Sequence, residues 1–259
     1  MNKVGRAVRE IDRMNELASR DTWLNHLHPL VKLLVTITYI TVTVSFSKYQ
    51  IMEVFLMAVY PALLFIVGEI SFIDSIKRLK IILPFVCFVG IFNPFFDRQI
   101  ITYVKGIAIT SGMISMCTLM AKGILCLLAS YLLIASTKIE SICYALRLIH
   151  VPSLLVTQIL LIYRYLSLLL TEVGKIMDAY SLRAPGQKGV HIKAWGSLAG
   201  GLLLRSMDRA SVLYESMTLR GYHGEFYFGN ERNLQKKDIL YLLLWIIIFF
   251  VIKIFVPMI

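Results

Sequence analysis

Two arginines stand in matching seven-residue phrases, and their setting suggests recognition chemistry more than bond-making chemistry. The first phrase is Asp178-Ala179-Tyr180-Ser181-Leu182-Arg183-Ala184; the second, 37 positions later, is Glu215-Ser216-Met217-Thr218-Leu219-Arg220-Gly221. Both read acid, small, large apolar, hydroxyl, Leu, Arg, small. A guanidinium is planar, always charged and able to bond bidentately, which a Lys ammonium cannot do. A cation in a last helical turn also complements the helix dipole, by about 0.3–1 kcal/mol. That accounts for either Arg alone, but not for seven shared positions. The pattern points to two equivalent docking tips. Leu182 or Leu219 is the apolar anchor beside each Arg, and Ala184 or Gly221 is the small residue behind it.

Other candidate chemistry is sparse. Of the histidines His26, His28, His150, His191 and His223, only the first two are close in sequence, and no Cys, Asp or Glu completes a metal-ligand spacing. The cysteines Cys87, Cys117, Cys126 and Cys143 show no C-x-x-C spacing and read as small packing residues. A Gly-rich phosphate loop, a G-x-S-x-G elbow and an H-E-x-x-H pair are all missing from the sequence. No catalytic residue, metal or cofactor is therefore expected, and the chain is not expected to be an enzyme. Tyr163-Arg164-Tyr165 favours a structural role over a docking one.

The elements that must carry the two tips are helices. Within 154–183, Arg164, Glu172, Lys175 and Asp178 share one side, while Leu155, Leu166, Val173, Met177 and Tyr180 share the other. Arg183 precedes Pro185-Gly186 and Arg220 precedes Gly221 and Gly224, so each phrase stands at a helix end. In the second helix Leu203, Met207, Ala210, Tyr214 and Met217 recur at spacings of 4, 3, 4 and 3, a narrow helix–helix seam. Upstream, Gly196, Gly200 and Gly201 lack side-chain bulk, and each glycine costs a helix about 0.8–1.0 kcal/mol relative to Ala. A close crossing of the two helices at this patch is the expected compensation.

Composition places these helices beside a membrane. The chain is 58% hydrophobic, above the roughly 45–50% of soluble domains. Stretches long and apolar enough to span a bilayer are 30–46, 51–68, 81–96, 106–135 and 238–257. The fourth is 30 residues, about 45 Å as a helix, and must be tilted, interrupted or divided. The third runs into Asn93-Pro94, which breaks it. Lys32 is expected to snorkel to the headgroups. Lys122, deep in the fourth stretch, faces either a bundle interior or the interface.

Five spans with the N-terminus inside put 21 Lys and Arg residues on the inner side and three outside, as positive-inside topology requires. Thirteen of the inner ones lie in the insert 136–237. The expected organisation is an N-terminal cytoplasmic segment (1–29), spans in 30–135, a cytoplasmic domain (136–237) and a last span in 238–259. The basic insert needs no nucleic acid to explain it, because inner-side topology and anionic headgroups suffice.

In these residues the chain resembles the transmembrane T component of energy-coupling factor transporters, in particular the cobalt-transport CbiQ type. The resemblance is carried by Ile11-Asp12, His28-Pro29-Leu30-Val31-Lys32, Ile91-Phe92-Asn93-Pro94-Phe95-Phe96, Ser136-Thr137, Tyr144-Ala145-Leu146-Arg147, Val151-Pro152 and Tyr163-Arg164-Tyr165. It continues through Leu203-Leu204-Arg205-Ser206-Met207-Asp208-Arg209-Ala210 and both Arg phrases. The family's coupling helices end in an Ala-Arg-Gly-like signature; here Leu182 and Leu219 replace the Ala, and Ala184 replaces the first Gly.

The resemblance implies an all-α integral membrane protein with about five transmembrane helices and a cytoplasmic pair of long crossing coupling helices. It implies two ATP-binding-cassette ATPase subunits as partners, docked at Arg183 and Arg220, and a separate substrate-binding membrane S subunit. It also implies a bacterial or archaeal cell membrane and uptake of a micronutrient, a transition metal such as cobalt before a vitamin. The rival classes are a membrane-embedded lipid-modifying enzyme and a self-contained permease. The first needs a charged cluster at the inner face, and the second needs polar residues spread through several spans.

Overall fold

The computed structural model describes residues 3–80, 84, 86, 88, 90, 100–104, 107–186, 189–224 and 233–255. Its elements are helices α1 (Lys3–Ser19), α2 (Trp23–His26), α3 (Pro29–Ser45), α4 (Ile51–Met57), α5 (Val59–Val67) and α6 (Phe72–Leu79), then strands β1 (Ile100–Val104) and β2 (Ile107–Thr110). Helices α7 (Ser111–Ser136), α8 (Ile139–Leu148), α9 (Ser153–Arg183), α10 (Ile192–Leu219) and α11 (Lys236–Phe255) follow. The chain divides into two compact units, residues 1–16 with 139–231, and residues 17–138 with 232–259.

Among the described residues the architecture is helical, as expected, apart from one short antiparallel ribbon. That ribbon corrects the fourth apolar stretch. Residues Ile107–Thr110 pair with Ile100–Val104, and the helix starts only at Ser111. The physical reason is composition: both segments are rich in β-branched residues, which suit a strand better than a helix. Of the third stretch, Pro84, Val86, Phe88 and Gly90 are helical, whereas Asn93-Pro94 lies outside the described residues.

The second stretch is bent rather than continuous. Pro61 has no N–H to give the carbonyl four residues back, and α4 and α5 meet at Ala58. The Met57 carbonyl so released accepts from the Tyr39 hydroxyl at 3.1 Å. In lipid no water can serve a freed carbonyl, so a neighbouring helix must. Tyr39 also stacks on Tyr60 at 4.7 Å, and Trp245 of α11 meets Tyr60 edge-on at 4.7 Å. Trp245 and Phe249 lie one turn apart on a single face of α11, so both enter this buried cluster. Thr36, Thr43 and Thr118 satisfy their hydroxyls on carbonyls one turn back.

Charged groups close both ends of α3. Lys32 does not snorkel: it is 5% exposed, and its ammonium donates to the Ser136 carbonyl at 2.9 Å and to Thr137 Oγ1 at 3.2 Å. The buried Asp238 carboxylate accepts from the His28 N–H and the Gln235 N–H, both at 3.0 Å. One carboxylate thus ties the start of the first apolar helix to the start of the last, and one ammonium ties α3 to the end of α7. At the opposite end, Lys122 donates to the Val44 and Phe46 carbonyls, and Lys253 donates to Ser45 Oγ at 2.7 Å. Lys122 therefore caps a neighbouring helix whose last carbonyls have no partner of their own.

Among the described residues two helices, α7 and α9, are long and apolar enough to cross a membrane by length and composition; α3 and the 51–67 pair are shorter and apolar. The apolar run at the start of α9 was not among the five stretches above.

Small-residue packing is present, but in the 17–138 unit. A Cβ added to Gly123 would lie 2.5 Å from Val86 Cγ1, and one added to Gly90 would lie 2.9 Å from Met120 Cγ. By contrast, a methyl at Gly200 meets no atom within 4 Å. Gly123→Ala should therefore lower stability by about 1–3 kcal/mol through overpacking. Gly200→Ala should raise it by about 0.5–1 kcal/mol through backbone entropy. Thermal unfolding in detergent checks the pair, and the reverse order would contradict this packing.

Candidate functional site

Both arginine phrases stand at the ends of long helices, of 31 residues in α9 and 28 in α10. Arg183 is the last residue of α9, while Arg220 is the C-cap of α10. Leu182 is 83% exposed and Leu219 is 89% exposed, and both arginines are exposed beside them. Among the described residues neither guanidinium has a hydrogen bond or ion pair. The phrase hydroxyls turn inward: Ser181 donates to the Asp178 carbonyl and Thr218 to the Tyr214 carbonyl. Each tip thus presents one free cation next to one bare apolar side chain.

The two ends stop by different means. After Arg220, the Gly221 N–H bonds the Thr218 carbonyl and the Tyr222 N–H bonds the Met217 carbonyl, both at 3.0 Å. Gly221 has φ +84, so this is a Schellman termination with glycine in the left-handed region. Ala184 instead has φ −126 and donates to the Tyr180 carbonyl, and the chain leaves through Pro185-Gly186. The repeated phrase therefore specifies the exposed pair, not a common turn.

Gly196, Gly200 and Gly201 do not form the expected close crossing within the chain, since added methyls would meet nothing within 4 Å. No described residue of α10 is buried, and along the seam Leu203, Met207, Ala210 and Tyr214 are exposed, with Met217 half-buried. Two polar contacts help to join α10 to α9, and sequence spacing gave no signal for them. Arg205 Nη1 lies 2.6 Å from Glu172 Oε1, and the His191 N–H donates to the Tyr180 hydroxyl at 3.2 Å. Glu172 and Arg205 are 33 positions apart, a separation that no periodicity rule relates.

The remaining candidates take structural roles. The Tyr163 hydroxyl donates to Asn15 Oδ1, joining α9 to α1, while Arg164 is exposed. His28 Nδ1 accepts from the Leu30 N–H and caps α3 ahead of Pro29. His26 faces Asp21. Burial pushes the Cys143 thiol above its ordinary value, and Glu140 adds to the shift, so this cysteine keeps its proton and is a poor nucleophile.

Comparison with known proteins adds three findings. A family model described as cobalt transport protein, CbiQ, matches residues 20–228, a range that holds both tips and the Glu172–Arg205 pair. An uncharacterized protein of Methanocaldococcus jannaschii is 28% identical over 194 residues, covering 70% of this chain and 65% of that protein. The nickel permease LarQ of Lactiplantibacillus plantarum is 28% identical over 119 residues, 44% of each chain. The matched part of the chain spans less than two thirds of the length of either relative.

The unequal terminations separate two substitutions. Gly221→Ala forces an L-residue into the left-handed region at about 1–2 kcal/mol, whereas Ala184→Gly imposes no such strain. Hydrogen exchange should accelerate at the Tyr222 amide in Gly221→Ala and stay protected there in Ala184→Gly. Unchanged exchange in Gly221→Ala would contradict the assigned cap.

Proposed function

Since the chain belongs to the CbiQ family of cobalt transport proteins, we propose that it is the transmembrane coupling subunit of an energy-coupling factor importer. Two ATP-binding-cassette ATPase subunits grasp Leu182-Arg183 and Leu219-Arg220, and a separate membrane S subunit carries the solute. ATP-driven movement of the ATPases reaches the membrane through α9 and α10. The chain itself catalyses nothing. Its cargo is a transition metal: cobalt on the family's description, with nickel next because one relative is named a nickel permease. A vitamin ranks behind both.

The observation that carries this reading is the pair of exposed Leu-Arg tips whose guanidinium groups are unpaired among the described residues. Arg is enriched among residues that dominate binding, and an Arg beside an apolar anchor suits a pocket offering both surfaces. The acidic and hydroxyl members of each phrase do not compete for the guanidinium, so it is free to pair with a partner.

The topology of the reading keeps the N-terminus inside with five spans, in the cell membrane of a bacterium or archaeon. Helix α9 then lies at the membrane boundary instead of crossing. A single crossing by α9 would put 184–237, with its eight Lys and Arg residues, on the outer face. The positive-inside rule opposes that arrangement.

Reversing both charges tests the docking claim. Loss of a central Arg contact costs about 2 kcal/mol or more, roughly thirtyfold in affinity per tip. Arg183→Glu with Arg220→Glu should therefore strip the ATPases from the affinity-purified complex while the melting of the chain stays unchanged. Arg→Lys at both tips should give partial loss, because the bidentate geometry is removed. Full retention of the ATPases by the double reversal would contradict the proposal.

A further inference from the structure

Two lever helices transmit movement only if something fixes the angle between them, and the glycine patch does not. We propose that the Glu172–Arg205 pair is the strut that holds α9 and α10 at a set angle and so positions the two tips. This rests on the docking reading above and names the residues that make it mechanically possible.

Four observations carry the inference. First, apolar packing along these helices is thin: among the described residues α10 has none buried, and α9 has only Val156 and Thr157, near its start. Register between them cannot come from an interlocked core. Second, Arg205 Nη1 approaches Glu172 Oε1 to 2.6 Å, a short charge-assisted contact. Third, the Glu172 side chain is only 19% exposed, so its carboxylate is partly withdrawn from water although the Arg205 side chain that meets it is 64% exposed. Lys175 stands 4.0 Å from the other carboxylate oxygen, a weaker contact that could not replace the guanidinium.

The fourth observation is leverage. The Tyr180–His191 bond gives a second fixed point near the turn. From it to the ion pair is eight residues along α9 but fourteen along α10, about 12 and 21 Å of helix. Two contacts separated along both helices restrain their relative rotation, which one contact alone would leave free. Beyond the pair, about 16 Å of α9 leads to Arg183 and about 22 Å of α10 leads to Arg220. Arg183 lies only three residues beyond the Tyr180 contact, so losing the strut frees chiefly the Arg220 tip relative to the Arg183 tip.

Glu172 and Arg205 are thus positioning residues that act on the partner through the tips. The test measures the angle directly. Nitroxides are placed at Ala179 and Glu215, one turn before each tip, in a cysteine-free background of the purified complex. Pulsed electron resonance then gives the distance distribution between them. Glu172→Arg and Arg205→Glu, each alone, should at least double its width, and the exchanged pair should restore it to within about 1.3-fold of the parent. Glu172→Gln should broaden it less, and covers the case in which a reversal does not fold. Unbroadened distributions in the single variants, or an exchanged pair as broad as either single, would overturn the strut. Arg183→Glu with Arg220→Glu should keep the narrow distribution while losing the ATPases, so failure of docking and failure of the strut give different results.

Discussion

The Lys32 ammonium and the Asp238 carboxylate set the frame on which the apolar helices depend. Each is a charge withdrawn from solvent, which is tolerated only when it is bonded on several sides. Lys32 uses the Ser136 carbonyl and the Thr137 hydroxyl, and Asp238 uses the His28 and Gln235 amides. Three helix ends are thereby fixed by two side chains. A slip of any one helix would strand a charge or a backbone group where water cannot reach it. Apolar packing alone specifies register poorly in lipid, because the tails are as apolar as the side chains.

The same rule explains the other polar features of residues 17–138 with 232–259. Pro61 releases a carbonyl and Tyr39 takes it; α3 ends with open carbonyls and Lys122 covers them. Among the described residues, buried side-chain polar groups there are bonded internally except the Thr22 and Ser111 hydroxyls. In residues 1–16 with 139–231 the balance differs. Two Leu-Arg tips and the seam residues Leu203, Met207, Ala210 and Tyr214 stay exposed, and a charge pair and a hydroxyl contact help to join α9 to α10. One unit bonds most of its polar groups internally and the other keeps two exposed tips, an arrangement that suits the proposed coupling role.

The helix-end positions of Arg183 and Arg220 were legible in the sequence because a repeated phrase at helix ends is a local pattern, and exposure at such ends follows from it. The helical class and the apolar stretches that became α3, the α4–α5 pair and α11 were legible for the same reason. Lys32 was misread because sequence places it one turn inside a span but does not reveal that the end of α7 comes beside it. The glycines at 196, 200 and 201 were read as a crossing, whereas close approach occurs at Gly90 and Gly123, where Met120 and Val86 arrive from elsewhere in the chain. Glu172 and Arg205 were invisible because tertiary structure alone brings them together. The β-branched run before Ser111 was one local signal overlooked, since its hydrophobicity masked its strand preference, and the apolar start of α9 was another.

The central claim is that the two tips are held by ATPases, and contact mapping in intact membranes tests it most directly. A photoreactive residue replacing Leu182 or Leu219 should, on illumination, form covalent adducts with ATP-binding-cassette subunits from both positions. Adducts confined to lipid or to the chain itself at both positions would contradict the account.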